Sequence, residues 1–226
     1  EDAAHSIGST QDGAPVGSLA DLTTYSFFPT KNLTTGEGGA VVTADAELAA
    51  RARAFKNHGL VRDKAVQRYP DEGPWHQEVH SFGLNYRLPD VLCALGTSQL
   101  ARLDAFVARR AEVKKAYDEA LGDLEGVDIP GVPEGAAPAW HLYPLRVPAE
   151  RRRAIFEAMR EQGIGVQVNY IPVHHQPLFA ELGHRKGSCP VAETYAEQEI
   201  SLPMFPDLTD SQVDEVIGLV RGFLGA

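Results

Sequence analysis

The chain has 226 residues, a formal net charge of −10 and 43% hydrophobic residues, a globular composition that excludes disordered and collagen-like proteins. Its 31 Asp and Glu against 21 Lys and Arg give a negative field that repels phosphate backbones, so no nucleic-acid partner is expected. No apolar run approaches the roughly 20 residues of a membrane-spanning helix, and no export signal opens the chain, so no membrane association is expected.

The chain begins Glu1-Asp2-Ala3-Ala4-His5, without methionine or a leader-like stretch, and is read as a piece of a longer protein. Gly8, Gly13 and Gly17 punctuate a loop-rich opening. Thr23 to Phe28 is a β-prone run closed by Pro29, and the turn Gly36-Glu37-Gly38-Gly39 leads into a second run, Ala40 to Thr43. Glu47 to Phe55 favours helix. Residues 59–80 are polar and broken by Pro70, Gly73 and Pro74, a connection long enough to suggest function or a covering partner.

From Pro89, apolar residues on three- and four-residue steps through Leu92, Leu95, Leu103, Phe106, Val113, Tyr117 and Leu121 predict one long amphipathic helix, kinked near Gly96. His141 to Val147 reads as a strand and Arg151 to Gln162 as a helix stopped by Gly163. Ile164, Val166, Val168 and Tyr170 alternate with smaller or polar residues, which predicts a strand ended by Pro172. Thr209, with Gln212 three residues on, forms a capping box for a last helix whose apolar face is Val213, Val216, Ile217, Val220 and Phe223. The pattern suggests two units, residues 1–105 and 106–226, joined through the long helix.

Two cysteines, Cys93 and Cys189, make no disulfide framework and fit a reducing cytoplasm. No Cys/His spacing suits a structural zinc site. His174 and His175 are adjacent rather than three to five apart and have no ligand set near them in sequence, so no metal is expected.

The stretch Ser26-Phe27-Phe28-Pro29-Thr30-Lys31, followed by the glycine turn, places a lysine on a short connection after a strand. Partial desolvation there disfavours the charged amine and makes it a better nucleophile, as Schiff-base chemistry requires. The Gly-x-x-x-x-Gly-Lys-Ser/Thr order of a nucleotide-binding loop is absent.

This stretch and the opening pentapeptide resemble the sugar aminotransferases of the DegT/DnrJ/EryC1/StrS family. The likeness continues through Asn57-His58-Gly59, Gly83-Leu84-Asn85-Tyr86-Arg87-Leu88, Ala94-Leu95-Gly96, Trp140-His141-Leu142-Tyr143 and Cys189-Pro190-Val191-Ala192-Glu193, so it spans nearly the whole chain. The resemblance implies an α/β, aspartate-aminotransferase-like fold (PLP fold type I), made of the remainder of a large αβα domain followed by a smaller C-terminal α/β domain. It implies pyridoxal 5′-phosphate (PLP) as cofactor, with Lys31 forming the covalent link and moving the proton. Asp2 matches the buried carboxylate that pairs with the pyridinium nitrogen, which keeps the ring an electron sink. His5 matches a contact to the ring or its phenolic oxygen, and Ser26 a hydroxyl on the phosphate. Asn85 matches an asparagine that reaches the phosphate held by a neighbouring subunit, which implies a homodimer with shared sites. A 3-dehydratase of the family would carry histidine in place of Lys31.

The segments Gly165 to Pro177 and Glu199 to Pro206, with Trp75-His76 and Glu78, look like the branch that aminates a nucleotide-linked 4-keto-6-deoxy sugar on the way to pseudaminic acid. Asn169 stands where that branch would carry histidine, and His174 is a candidate substrate contact. The implied activity is transfer of an amino group from an amino acid, glutamate, to such a sugar. The competing reading is an inactive truncated chain that serves as a dimerisation or nucleotide-sugar-binding module.

Overall fold

A computed structural model describes residues 1–225. The chain divides into two compact units, Glu1–Leu103 with Gly135–Pro138 and Asp104–Glu134 with Ala139–Ala226. The return of residues 135–138 to the first unit has no signal in the local pattern. It comes from strand pairing, because β1 (Thr10–Gln11) pairs antiparallel with both β2 (Ala14–Pro15) and β7 (Ala136–Ala137).

In the first unit, β3 (Thr23–Ser26) and β4 (Gly39–Val42) form an antiparallel pair with Ser26 opposite Gly39. Helix α1 (Ala46–Phe55) follows, capped by the Asp45 carboxylate, which accepts from the N–H of Glu47 and Leu48. The long polar connection is partly ordered, since β5 (Leu60–Val61) and β6 (Glu78–Val79) zip its two ends together. The unit buries few side chains, and neither α1 nor α2 (Asp90–Leu100) contains a fully buried residue. Phe82 is 100% exposed, Val91 74% and Val41 52%, so this unit leaves several large apolar side chains bare.

The predicted long helix is two. It breaks at Ala101-Arg102, between α2 and α3 (Leu103–Leu121), and not at Gly96. Gly96 instead makes room for a neighbour. A Cβ there would lie 2.9 Å from the Thr35 methyl, so glycine permits the turn after Lys31 to approach α2.

The second unit has the larger core. Val113, Tyr117 and Leu121 of α3, Tyr143 and Leu145 of β8 (Tyr143–Arg146), Ile155 and Met159 of α4 (Ala149–Glu161) and Ile200 and Leu202 of β9 (Glu199–Leu202) pack together. Val213, Val216, Val220 and Leu224 of α7 (Asp210–Leu224) complete it. Strands β8 and β9 pair antiparallel, Tyr143 opposite Leu202. Arg110 is buried, and its Nη1 donates to the carbonyls of Met204 (2.7 Å) and His141 (3.2 Å), which ties α3 to the chain on either side of the sheet.

The strand predicted over Ile164–Tyr170 does not form. A single bridge joins Gln167 to Ser201. Two residues on, the Asn169 amide donates to the buried Glu199 carboxylate at 2.7 Å instead of to a strand neighbour, which ends the ladder. Two helices absent from the prediction, α5 (Pro177–Glu181) and α6 (Pro190–Gln198), both begin on a proline at the first turn, where its missing N–H costs nothing. Helix α6 passes into β9 without a loop. Among the described residues no single helix is long and apolar enough to cross a membrane.

The capping box is present, with Thr209 Oγ1 accepting from the Gln212 N–H at 3.3 Å and Gln212 Oε1 accepting from the Thr209 N–H at 3.0 Å. Thr209→Ala is expected to cost about 1 kcal/mol in urea unfolding. Met159→Ala, which empties a wholly buried site, is expected to cost about 2–5 kcal/mol.

Candidate active site

Glu1–Ala3 runs parallel to β3, with the Ala3 N–H donating to the Thr24 carbonyl (2.9 Å) and the Thr24 N–H to the Glu1 carbonyl (3.0 Å). The chain then turns, Ser6 N–H to Ala3 carbonyl at 2.9 Å, and the turn carries His5. Asp2 Oδ1 accepts from the Ala4 N–H at 3.0 Å. At the far end of β3 the backbone curls, and there the Lys31 N–H donates to the Phe28 carbonyl and the Thr35 N–H to the Phe27 carbonyl, each at 3.0 Å. Asn32, Leu33 and Thr35 are buried, so the residues just after Lys31 anchor the curl and leave its own side chain half-buried.

The three side chains meet electrostatically. Burial pushes the Lys31 amine below its ordinary value, and the Asp2 carboxylate pulls it back up. Burial also lowers the His5 imidazole, the Lys31 charge lowers it further, and Asp2 opposes both. An amine whose charged form is disfavoured beside a carboxylate suits attack on a carbonyl. Asp2 differs from its sequence-based expectation in one respect, because it is exposed and not buried. Ser26 ends β3 on the approach to Lys31, and its Oγ accepts from the Phe28 N–H at 3.4 Å.

Asn85 is exposed on another segment of the same unit, in an antiparallel bridge with Asn57. Arg87 Nη1 donates to Asn57 Oδ1 at 3.0 Å, and the His58 N–H donates to the Leu84 carbonyl at 3.1 Å. Gly59 has φ +71°, and a Cβ there would stand 1.8 Å from the Ser81 carbonyl oxygen, so this junction admits no larger residue. The adjoining connection is strapped to Glu78, whose carboxylate accepts from the N–H of Arg68 (2.7 Å) and Tyr69 (2.6 Å) and bonds His76 (3.1 Å) and His80 (2.5 Å). Burial works to raise this carboxyl, but the four hydrogen bonds hold it at about 2.

His174 lies in the second unit, in a 3-10 turn over Val173–His175. Its Nε2 sits 2.7 Å from Glu193 Oε1, so that edge of the ring is already engaged. Glu193 also accepts from the N–H of Gly187 (2.7 and 2.9 Å) and Cys189 (3.3 Å). Bonding to His174, against the opposing effect of burial and with help from these amides, holds the Glu193 carboxyl at about 2. The histidine pair therefore has the third potential ligand that its sequence neighbourhood lacks.

The DegT/DnrJ/EryC1/StrS aminotransferase family model matches residues 1–221. The chain belongs to this family. Among its relatives, the spore coat polysaccharide biosynthesis protein SpsC of Bacillus subtilis is 38% identical, covering 98% of this chain and 58% of SpsC. The UDP-4-amino-4,6-dideoxy-N-acetyl-beta-L-altrosamine transaminase of Campylobacter jejuni is 33% identical, covering 92% of this chain and 54% of that enzyme. Two solved structures superpose closely. Helicobacter pylori PseC, an aminotransferase involved in the biosynthesis of pseudoaminic acid, gives a TM-score of 0.89 at 30% identity, covering 99% of this chain and 58% of PseC. The PLP-form of Spr1654 from Streptococcus pneumoniae gives 0.88 at 28% identity, covering 99% and 57%. The fold is therefore the α/β fold of these aminotransferases. The chain spans about 58% of the length of the first curated relatives it matches.

Glu193 belongs to a motif that carries the family resemblance, but nothing local ties it to His174, which is distant in sequence. A usable signal was Pro190, a helix-starting proline that puts Glu193 in the first turn of α6.

Because Glu78 is held far below its ordinary 4.5, its strap is at full strength above that pH and weakens as pH falls from there toward about 2. Limited proteolysis with an acid protease is expected to show cleavage within residues 62–77 rising across this window. Glu78→Gln is expected to be cleaved there with little dependence on pH.

Proposed function

We propose that this chain carries the reactive lysine of a PLP-dependent transaminase that moves an amino group from an amino acid, glutamate, to a nucleotide-linked 4-keto-6-deoxy sugar of the pseudaminic-acid type. The observation that carries this reading is the half-buried Lys31 amine, lowered by burial and in electrostatic reach of Asp2 and His5. The names of the Campylobacter jejuni transaminase and of Helicobacter pylori PseC support the sugar class.

The residues present fit the cofactor. Lys31 offers an amine for its aldehyde, Asp2 a carboxylate for its ring nitrogen, His5 a ring contact and Ser26 a hydroxyl for its phosphate. When bound, PLP supplies an electron sink for the carbon that loses its proton. Lys31 then takes a proton from the donor carbon and returns it, and a lowered amine is better matched to doing so at neutral pH. Asp2 would hold a proton on the ring nitrogen by its negative charge. His174 is a contact for the sugar, its ring oriented by Glu193.

Shared active sites in a homodimer are part of the same proposal, with Asn85 reaching the partner's phosphate. The exposure of Asn85, of Tyr86 beside it and of Phe82 supports it. Both cysteines are free and exposed, which supports a reducing cytoplasm as the setting. A second reading, ligand binding or dimer contact without turnover, draws on the exposure of Asp2.

Borohydride reduction with PLP separates the two. The transaminase reading expects a covalent adduct mapped to Lys31 by mass spectrometry and lost in Lys31→Ala; its absence in the native chain favours the second reading. Asp2→Asn is expected to keep the adduct while amino transfer falls by about 100-fold or more, measured by conversion of the donor amino acid.

A further inference from the structure

His174 and His175 are the last two residues of a single 3-10 turn, with ring centroids 4.4 Å apart and planes at 66°. This arrangement directs both Nε2 atoms at Glu193. The His174 atom lies 2.7 Å from Oε1 and the His175 atom 3.4 Å, and the three ligand atoms all fall within 4.8 Å of one another. His175 Nε2 is buried and makes no hydrogen bond, because its 3.4 Å approach lacks the geometry for one. A buried imidazole nitrogen without a hydrogen bond is a cost in the bare protein, and a cation bound to the deprotonated nitrogen removes it.

Glu193 is pre-positioned for the same purpose. Backbone N–H groups fix its carboxylate, Gly187 donating to both oxygens and Cys189 to Oε1, as outer-sphere partners fix metal ligands. A cavity of about 460 Å³ adjoins the cluster and is lined in part by His175 and Glu193. Two cationic side chains line that wall: Lys186, which faces Glu197 at 3.8 Å, and Arg152, whose Nε donates to the Glu197 carbonyl at 3.2 Å.

We infer that His174, His175 and Glu193 form a binding site for a zinc-class divalent cation, with water from the adjoining cavity completing its coordination. Two imidazole nitrogens and one carboxylate oxygen are the donor set such ions favour. Zinc bonds of about 2.0–2.1 Å in a tetrahedron separate neighbouring donors by about 3.3 Å. The His175–Glu193 separation is already close to this value; the His174–Glu193 separation lengthens when the ion replaces the proton they share. The inference does not depend on the Lys31 chemistry, since its donors all lie in the second unit and its test reads the metal rather than turnover. It leaves the other edge of the His174 ring for a sugar contact.

The test uses the purified chain, stripped with chelator and without PLP, titrated with Zn²⁺ by calorimetry and with Co²⁺ by visible absorption. One equivalent per chain and Co²⁺ bands of four- or five-coordinate N/O ligation are expected. His175→Ala removes a donor that no hydrogen bond uses, so the fold is expected to stand, checked by circular dichroism; Zn²⁺ affinity is expected to fall by at least about 10- to 100-fold. Glu193→Gln is expected to do the same, and His184→Ala to leave affinity unchanged. Equal affinity in the native and His175→Ala chains, or no binding at all, overturns the site. A thiolate-to-cobalt charge-transfer band overturns the ligand set by placing the ion on a cysteine.

Discussion

Two backbone hydrogen bonds, from Ala3 to Thr24 and from Thr24 to Glu1, hold the start of the chain beside the strand that leads to Lys31. The chemistry proposed for the first unit depends on that pairing. It brings Asp2 and His5, far from Lys31 in sequence, within reach of its charge. Lys31 is set from the other side by the burial of Asn32, Leu33 and Thr35, and by Gly96, whose missing Cβ admits the Thr35 methyl. The amine is thus tuned by packing on one side and by a carboxylate on the other, two effects of opposite sign whose balance favours the neutral form relative to a solvated lysine.

Three glutamates do for loops what strand partners do for sheets. Glu78 accepts the amides of Arg68 and Tyr69, Glu193 those of Gly187 and Cys189, and Glu199 that of Asn169. A charged acceptor makes a stronger bond to an amide than a carbonyl does, so a single side chain can order an irregular segment. Their acidities diverge for a physical reason. Glu78 and Glu193 each collect several donors, face two histidines and are held at about 2, whereas burial dominates at Glu199 and raises it despite the Ser201 hydroxyl and the Asn169 amide.

Legibility in the sequence followed the range of the interactions. The β3 and β4 strands, the α4 helix and the capped α7 helix lie where alternation, periodicity and capping residues place them, because those signals act within a few residues. Ile164–Tyr170 has the period of a strand yet forms one bridge, since a side chain about 30 positions away takes the amide at Asn169. Likewise Gly96 reads locally as a weak point in a helix, and its role emerges only when Thr35 is packed against it.

The sequence alone determined the helix and strand periods, the cap at Thr209, the lysine after a β-prone run and the ordered motifs that mark the family, all carried by residues close in the chain or by their order. Only the tertiary structure decided that Asp2 and His5 come within electrostatic reach of Lys31, that Asp2 is exposed, and that Glu193 closes on both His174 and His175. Such groupings depend on which distant segments pack together and exclude water, and no local pattern encodes that.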